Sequence, residues 1–145
     1  KAVEQLSRKT LAQVRDAVKG YNVATINGEI LQVKVATEAA NIELIASIEV
    51  ESLPLNVESE LALIIREAIT NVIRHAETEK VWIVLKHVTT HLILTISDQG
   101  KITTNKEQSG MQNMRTRIAH LGGEMAVENA PNTQLTFTLP ISQQS

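Results

Sequence analysis

Three side chains that can bind a cation or activate water recur at four-residue intervals: Glu67, Asn71 and His75. In a helix this spacing places all three along one line. Carboxylate and amide oxygens suit a hard cation such as Mg²⁺, which takes one or two protein ligands and keeps several waters. A glutamate can also polarise a water or a hydroxyl. The three residues can equally form a hydrogen-bonded row at a helix edge, so the pattern predicts either a cleft wall or a structural row.

The stretch LILTISDQGKI places an acid where an apolar residue is expected. Alternate positions of residues 92–98 are Leu, Leu, Ile and then Asp98, so a strand with one buried face would bury the carboxylate. An unpaired buried carboxylate is costly. The predicted donor is an amino group of a ligand, a neighbouring backbone N–H, or a hydroxyl of the last strand, for which Thr133 and Thr136 are candidates.

Two glycines flank the polar stretch that follows this acid. Gly100 lets the backbone pass close to a flat ligand, because a Cβ there would clash. Residues 100–109 predict a long loop of the kind that often acts as a lid. Gly110 is expected to begin the next helix, whose free N–H groups would suit a phosphate, although a glycine at this position can also mark an ordinary helix start.

Glu67, Asn71 and His75 form one row only if they lie on a helix, and the pattern of residues 57–77 predicts a helix. The row lies at the rim of the broad apolar face of this helix. Arg66, Thr70 and Arg74 lie away from that face and predict a solvated stripe. The apolar face consists of Leu61, Ala62, Ile65, Ala68, Ile69, Val72 and Ile73.

The remaining elements predict an α+β fold. A helix capped by Asn27 runs to Ala40, and the long helix has Asn56 as its candidate cap. Another helix spans residues 111–121 and stops at Gly122-Gly123. Strands are predicted at residues 42–50, 80–88, 91–97, 124–129 and 133–141, the second and third paired antiparallel around Thr89-Thr90. Strands mixed with helices in this order favour one mixed sheet with helices on one face.

Residues 1–20 predict a helix with a narrow apolar stripe that ends at Gly20. Such a helix is not expected to be stable alone. It packs either on another helix, for instance in a second chain, or on its own domain. The stripe is formed by Val3, Leu6, Thr10, Leu11, Val14, Ala17 and Val18.

Composition narrows the class of protein. The chain has 145 residues, 43 % of them hydrophobic and 2 % aromatic, and a net charge of −2, so one domain with an aliphatic core is expected. The charge argues against a general nucleic-acid surface. Because cysteine is absent, a disulfide framework and a thiolate metal site are excluded.

The order of these motifs resembles the ATP-binding catalytic domain of bacterial sensor histidine kinases, in the subgroup allied to nitrate-responsive and DesK-type kinases. REAITNVIRHA (66–76) is similar to the family's N box, and SDQGKI (97–102) to its first glycine box. SGMQNMRTRIAHLGGEM (109–125) is similar to the second glycine box, and NTQLTFTLP (132–140) to the closing strand. TLAQVRDAVKGY (10–21) resembles the end of the upstream dimerisation and phosphotransfer hairpin.

The resemblance implies a two-layer Bergerat-type α/β sandwich over residues 21–145, preceded by the end of the dimerisation helix at residues 1–20. It implies that this fold binds ATP and Mg²⁺. Asn71 would bind Mg²⁺, and Glu67 would hold a metal-bound or attacking water. His75 and Arg74 would face the phosphates. The other implied roles are an acceptor for the adenine amino group at Asp98, room for the base at Gly100, a helix under the phosphates at Gly110 and Met111, and support for Asp98 or a bridging water at Thr133.

The resemblance also implies partners outside this chain. They are an upstream helix with the acceptor histidine, a response regulator, a second protomer, and a membrane anchor that holds the domain in the cytoplasm. None of His75, His87, His91 and His120 shows the acceptor pattern of a histidine followed by an acid. The sequence departs from the family at Ile102 and Gln108, where glycines are common. Two alternatives therefore stay open: an interaction module impaired in nucleotide binding, and another ATPase or serine kinase of the same fold.

Overall fold

The computed structural model describes residues 24–100, 108–129 and 132–141. The helices are α1 (Ile26–Ala39), α2 (Leu55–His75) and α3 (Gln108–His120), and the strands are β1 (Glu43–Glu49), β2 (Lys80–Val88), β3 (His91–Asp98), β4 (Glu124–Glu128) and β5 (Gln134–Pro140). The helix predicted over residues 1–20 and most of the polar stretch after Gly100 lie outside the described residues. Within the described ranges, no helix is long and apolar enough to cross a membrane.

The five strands form one mixed sheet in the order β1-β2-β3-β5-β4. β1 pairs with β2 in parallel, and the other three pairings are antiparallel. One face of the sheet carries the core: every second residue of β2, β3 and β5 is buried there, and these residues form one cluster with the buried side chains of the helices. The predicted α+β fold, with a mixed sheet and helices on one face, is confirmed.

The helix starts differ from the predictions in which an asparagine was expected to be the N-cap. Thr25, rather than Asn27, caps α1, and its side chain accepts from the Gly28 N–H at 3.1 Å. Asn56 does not cap α2, because that helix begins at Leu55, two residues before the predicted start, with Pro54 at the cap position. α3 begins at Gln108, so Gly110 lies within its first turn. Several residues near each helix start are of types that can cap a helix. Contacts with the rest of the fold decide which of them takes the cap position.

A buried charge joins α1 to α2. Glu29 is 4 % exposed and faces Arg66, whose Nη2 lies 2.8 Å from Glu29 Oε1 and whose Nε lies 3.2 Å from both carboxylate oxygens. The hydrogen bond from Arg66 to Glu29 raises the pKa of Arg66. The guanidinium predicted to lie in a solvated stripe therefore pairs with α1, although its side chain is 52 % exposed. This pair fixes α1 against the residue next to Glu67.

Candidate functional site

A cleft of about 420 Å³, counting the part open to solvent, lies between α2, the ends of β3 and β5, and the first turn of α3. It is lined by Ala68, Asn71, Val72, His75, Ala76, Ile96, Asp98, Met111, Thr133 and Leu135. The structure thus brings Asn71, His75, Asp98, Met111 and Thr133 together from α2, the end of β3, α3 and the residue before β5. The apolar lining residues were predicted only as core, because their periodicity does not separate a core wall from a cleft wall.

Asp98 ends β3 in the buried phase, as predicted, with 5 % of its surface exposed. Its Oδ1 accepts from the Gly100 N–H at 2.6 Å. Of the predicted donors, which were a ligand amino group, a backbone N–H and a threonine hydroxyl, the backbone N–H is thus present. Burial raises the pKa of Asp98, and the hydrogen bond from Gly100 offsets part of that rise. The carboxylate is thus anchored on one side while it lines the cleft.

Thr133 braces the turn after Asp98 instead of bonding to the carboxylate. Its N–H donates to the Gly100 carbonyl at 3.0 Å, and its carbonyl accepts from the Asp98 N–H at 3.0 Å. Its Oγ1 lies 2.9 Å from the Gly100 carbonyl and 3.0 Å from Asn129 Oδ1, and its one proton serves one of these acceptors at a time. Thr133 therefore supports the backbone around Asp98 rather than its carboxylate, and its contact with a bridging water stays a prediction.

Gly100 has a reason to be glycine that the sequence did not suggest. A Cβ there would lie 3.2 Å from the Glu77 nitrogen and 3.3 Å from both the Glu77 oxygen and Asp98 Oδ1. These contacts belong to the segment that leaves α2 and to the carboxylate itself. Gly100 thus packs closely on the protein's own backbone, and a side chain there would need these neighbours to shift by a few tenths of an ångström. The structure gives no separate support for space reserved for a base.

The first turn of α3 sits directly on the polar row of α2. A Cβ at Gly110 would lie 2.7 Å from Glu67 Oε2 and 2.7 Å from Asn71 Nδ2. Asn71 Nδ2 is buried and has no hydrogen-bond partner. Glu67, Asn71 and Gly110 are therefore one contact group at the edge of the cleft.

Two other predicted site residues have different positions. His75 lines the cleft and is exposed. Arg74 is exposed and is not among the residues that line the cleft, so the structure does not bring it to the site. Arg74 lies on the side of α2 opposite its apolar face, one turn from Asn71, and its side chain is exposed there.

Among the residues that the structure describes, no group of three or more His, Cys, Asp or Glu side chains could hold a metal ion. A complete protein cage is thus not found in these ranges. The unpartnered Asn71 amide and the adjacent Glu67 carboxylate still fit a cation that keeps most of its ligands from water or phosphate, as Mg²⁺ does.

Comparison with known proteins places the fold and its motifs in context. Residues 56–143 match the family model described as histidine kinase-, DNA gyrase B-, and HSP90-like ATPase. The chain is 27 % identical over 148 residues to sensor histidine kinase DesK of Bacillus subtilis, covering 97 % of this chain and 40 % of DesK. It is 32 % identical over 108 residues to sensor protein VraS of Staphylococcus saprophyticus, covering 70 % of this chain and 31 % of VraS.

Solved structures share the architecture at low identity. The histidine kinase domain of the Erythrobacter litoralis EL346 blue-light activated kinase has a TM-score of 0.70 and 20 % identity, over 81 % of this chain and 61 % of that one. Histidine kinase AdeS of Acinetobacter baumannii has a TM-score of 0.64 and 20 % identity, over 97 % and 81 %.

These matches differ in what they establish. The solved structures show the fold alone at this level of identity. The chain spans about 40 % of the length of DesK, so the activity of a whole sensor protein does not follow from that likeness. The family model covers more than half of the chain and reaches from the first turn of α2 to the end of β5. The chain belongs to the family of histidine kinase-, DNA gyrase B-, and HSP90-like ATPases.

Proposed function

We propose that this chain is the Mg-ATP-binding catalytic domain of a sensor histidine kinase. It positions ATP so that the γ-phosphoryl group passes to a histidine on an upstream helix outside this chain, for relay to a response regulator. The observation that carries the proposal is the cleft with opposed polar ends. The buried, unpartnered Asn71 amide lies beside Glu67 at one end, and the buried Asp98 carboxylate lies at the other.

The Asp98 end fits an adenine base. Ala68, Val72, Ile96 and Leu135 supply an apolar surface on which a flat ring can lie. The carboxylate of Asp98 can accept from an exocyclic amino group, and its other contact, the Gly100 N–H, holds it in place. A guanine base would present a carbonyl where adenine has its amino group, so the acceptor favours adenine.

The α2 end fits the phosphates. Asn71 would hold Mg²⁺, which neutralises phosphate charge when bound, while Glu67 orients a water or the approaching nucleophile. The first turn of α3, with Gly110 and Met111, presents backbone N–H groups beside them, and His75 lines the same edge. Transfer of a phosphoryl group depends mainly on such positioning and charge neutralisation. The imidazole nitrogen of the acceptor bonds to the γ-phosphorus as the bond to the β-phosphate oxygen breaks and ADP leaves.

The wider assembly is part of the same proposal. Residues 1–20 are the end of the dimerisation helix, and residues 21–145 are the catalytic domain. The longer protein is a homodimer, its catalytic domain is cytoplasmic, and a membrane anchor lies outside this chain. The relatives named as sensor kinases support this assignment.

Calorimetry separates the proposal from a module that has lost nucleotide binding. Mg-ATP titrated into the unmodified chain should release heat and saturate. Asn71→Ala should weaken binding of Mg-ATP but leave binding of ATP in excess EDTA nearly unchanged, because its amide acts through the cation. Lys86→Ala, at the exposed far end of β2, is the control and should bind like the unmodified chain. No heat with the unmodified chain at millimolar nucleotide would rule the proposal out.

A further inference from the structure

The turn that follows Asp98 is fastened to the segment between α2 and β2. This segment, residues 77–79, leads from the helix that forms one wall of the cleft into the sheet. The backbone N–H of Gln99 donates to Thr78 Oγ1 at 2.9 Å, and the side-chain Oε1 of Gln99 accepts from the Glu79 N–H at 3.4 Å. The residue after Asp98 therefore contacts this segment through both its backbone and its side chain.

The Thr78 hydroxyl takes the place of a direct bond between β2 and β3. These strands are antiparallel with Val81 opposite Asp98, so Lys80 and Gln99 would form the next opposed pair. Asp98 donates its N–H toward the β5 side, and the N–H of the next residue points the other way, so a regular ladder would join Gln99 to the Lys80 carbonyl. Instead the Gln99 N–H donates to the hydroxyl, which itself donates to the Lys80 carbonyl at 2.7 Å. The hydroxyl is therefore inserted between the two strands.

These contacts use the whole hydrogen-bonding capacity of the Thr78 hydroxyl. A hydroxyl has one proton and two acceptor lone pairs. The proton goes to the Lys80 carbonyl, and the lone pairs face the Gln99 N–H and, at 3.4 Å, the Lys80 N–H. A methyl group in its place makes none of these bonds, so its removal acts on the spacing of the two strands.

The turn transmits this spacing to the Asp98 carboxylate. Asp98 Oδ1 accepts from the Gly100 N–H at 2.6 Å, so the carboxylate moves with the backbone of the turn. A Cβ at Gly100 would lie 3.2 Å from the Glu77 nitrogen, so the turn packs on the same segment that carries Thr78. Thr133 holds the turn from the other side, through the Gly100 carbonyl. The contact with Thr78 therefore sets the position of the turn relative to the end of α2.

We propose that Thr78 is a positioning residue for recognition of the nucleotide base. Its hydroxyl spaces β2 and β3 at the Asp98 end of the pair and so places the carboxylate where it accepts from the adenine amino group. This inference rests on the proposed binding of ATP in the cleft. Of the described residues, those that line the cleft do not include Thr78, so it acts through Asp98. The phosphate end, at Glu67 and Asn71, lies earlier in α2 and is not held by this contact.

The ratio of the affinities for ATP and inosine triphosphate (ITP) measures this role. ITP carries a carbonyl where ATP carries its amino group, so the ratio reports the hydrogen bond to Asp98, whereas a loss of folded protein lowers both affinities equally. In calorimetry with Mg²⁺, Thr78→Val should lower the preference for ATP over ITP at least about fivefold. Thr78→Ser keeps the hydroxyl and should retain the preference. Thr95→Val makes the same exchange on the face of β3 turned away from the core and is the matched control, which should also retain it.

The outcomes separate this inference from the proposed function. If the unmodified chain prefers ATP and Thr78→Val keeps that preference, positioning by Thr78 is overturned while ATP binding stands. A Thr78→Val chain that is unfolded at the temperature of the titration overturns it as well, in favour of a hydroxyl needed only for folding. Equal binding of ATP and ITP by the unmodified chain would overturn recognition of adenine by Asp98. Binding of neither nucleotide would overturn the proposed function itself.

Amide exchange tests the inserted hydroxyl without nucleotide. The Gln99 N–H should exchange at least about tenfold faster in Thr78→Val than in the unmodified chain, because its acceptor is gone. Exchange of the Ile96 N–H, within β3, should be the same in both, and Thr78→Ser should protect Gln99 as the unmodified chain does. Equal exchange of Gln99 in Thr78→Val and the unmodified chain contradicts the proposal.

Discussion

Asp98 is buried, and the hydrogen bond from the Gly100 N–H does not cancel the cost of its burial, so its pKa stays raised. Asp98→Asn keeps an acceptor for Gly100 but removes the charge. We expect this variant to be more stable than the unmodified chain at neutral pH when no ligand is present. We also expect it to bind ATP about 10- to 100-fold more weakly, the range for a lost hydrogen bond to a charged group. Thermal melts with and without nucleotide measure both effects, and a loss of stability without ligand would contradict the argument.

The same residue predicts a pH dependence. Because the folded pKa of Asp98 is raised, the folded chain binds more protons than the unfolded chain between the two pKa values. The free energy of unfolding should therefore fall as pH rises through that window. The difference in the free energy of unfolding between Asp98→Asn and the unmodified chain should be smallest in acid. It should grow with pH until the carboxylate of Asp98 is fully ionised. Melting curves across this range check the trend, with the exposed Glu124→Gln as a control that should show no such growth.

Gly110 links two elements, since its Cα faces Glu67 and Asn71 across the contact of α3 with α2. In an exposed helix, Gly→Ala stabilises by about 1 kcal/mol. Here the methyl group would press on two side-chain ends, which can rotate away and so limit the loss of stability. We expect Gly110→Ala to change the melting temperature little and to weaken Mg-ATP binding at least about tenfold, because Glu67 and Asn71 are displaced. Calorimetry and melting of this variant beside the exposed Gln112→Ala test this, and unchanged affinity would show that the contact is not part of the site.

The hairpin of β2 and β3 turns through Thr89 at φ 59°, a region that β-branched residues rarely adopt. The left-handed conformation costs a non-glycine residue about 1–2 kcal/mol, and glycine loses about 0.5–1 kcal/mol of that gain to entropy. Thr89→Gly should therefore stabilise the domain by roughly 0.5–1 kcal/mol. Thr90→Gly, beside it at a position without positive φ, should destabilise instead. Denaturant unfolding of both variants provides the measurement.

At the scale of the whole molecule, none of the four histidines is followed by an acid as in the acceptor pattern, and three of them lie away from the cleft. His87 and His91 belong to the hairpin at the far end of the sheet, where seven residues at about 3.3 Å each put His91 roughly 23 Å from Asp98. His75 is part of the cleft wall, and His120 lies 3.9 Å from Glu60 at the end of α3.

We therefore expect the chain to bind ATP without labelling itself. Incubation with γ-labelled ATP should leave no stable phosphoryl group on the chain alone. A separate helical fragment that carries an acceptor histidine is the positive control and should be labelled in its presence. Stable label on this chain would contradict the proposed division of roles.

Over the described residues, the sequence by itself determined the helices and strands, the sheet class and the burial of Asp98, because periodicity of two or of 3.6 residues reports directly which side of an element is apolar. It also placed Glu67, Asn71 and His75 on one line of α2, since helix geometry fixes their angular positions. The sequence could not choose Thr25 over Asn27 as a cap or pair Arg66 with Glu29. It also missed that Gly100 packs on Glu77 and that Thr133 braces the backbone rather than the carboxylate. Those outcomes depend on distances between atoms far apart in the chain, which only the packing of the helices on the sheet decides.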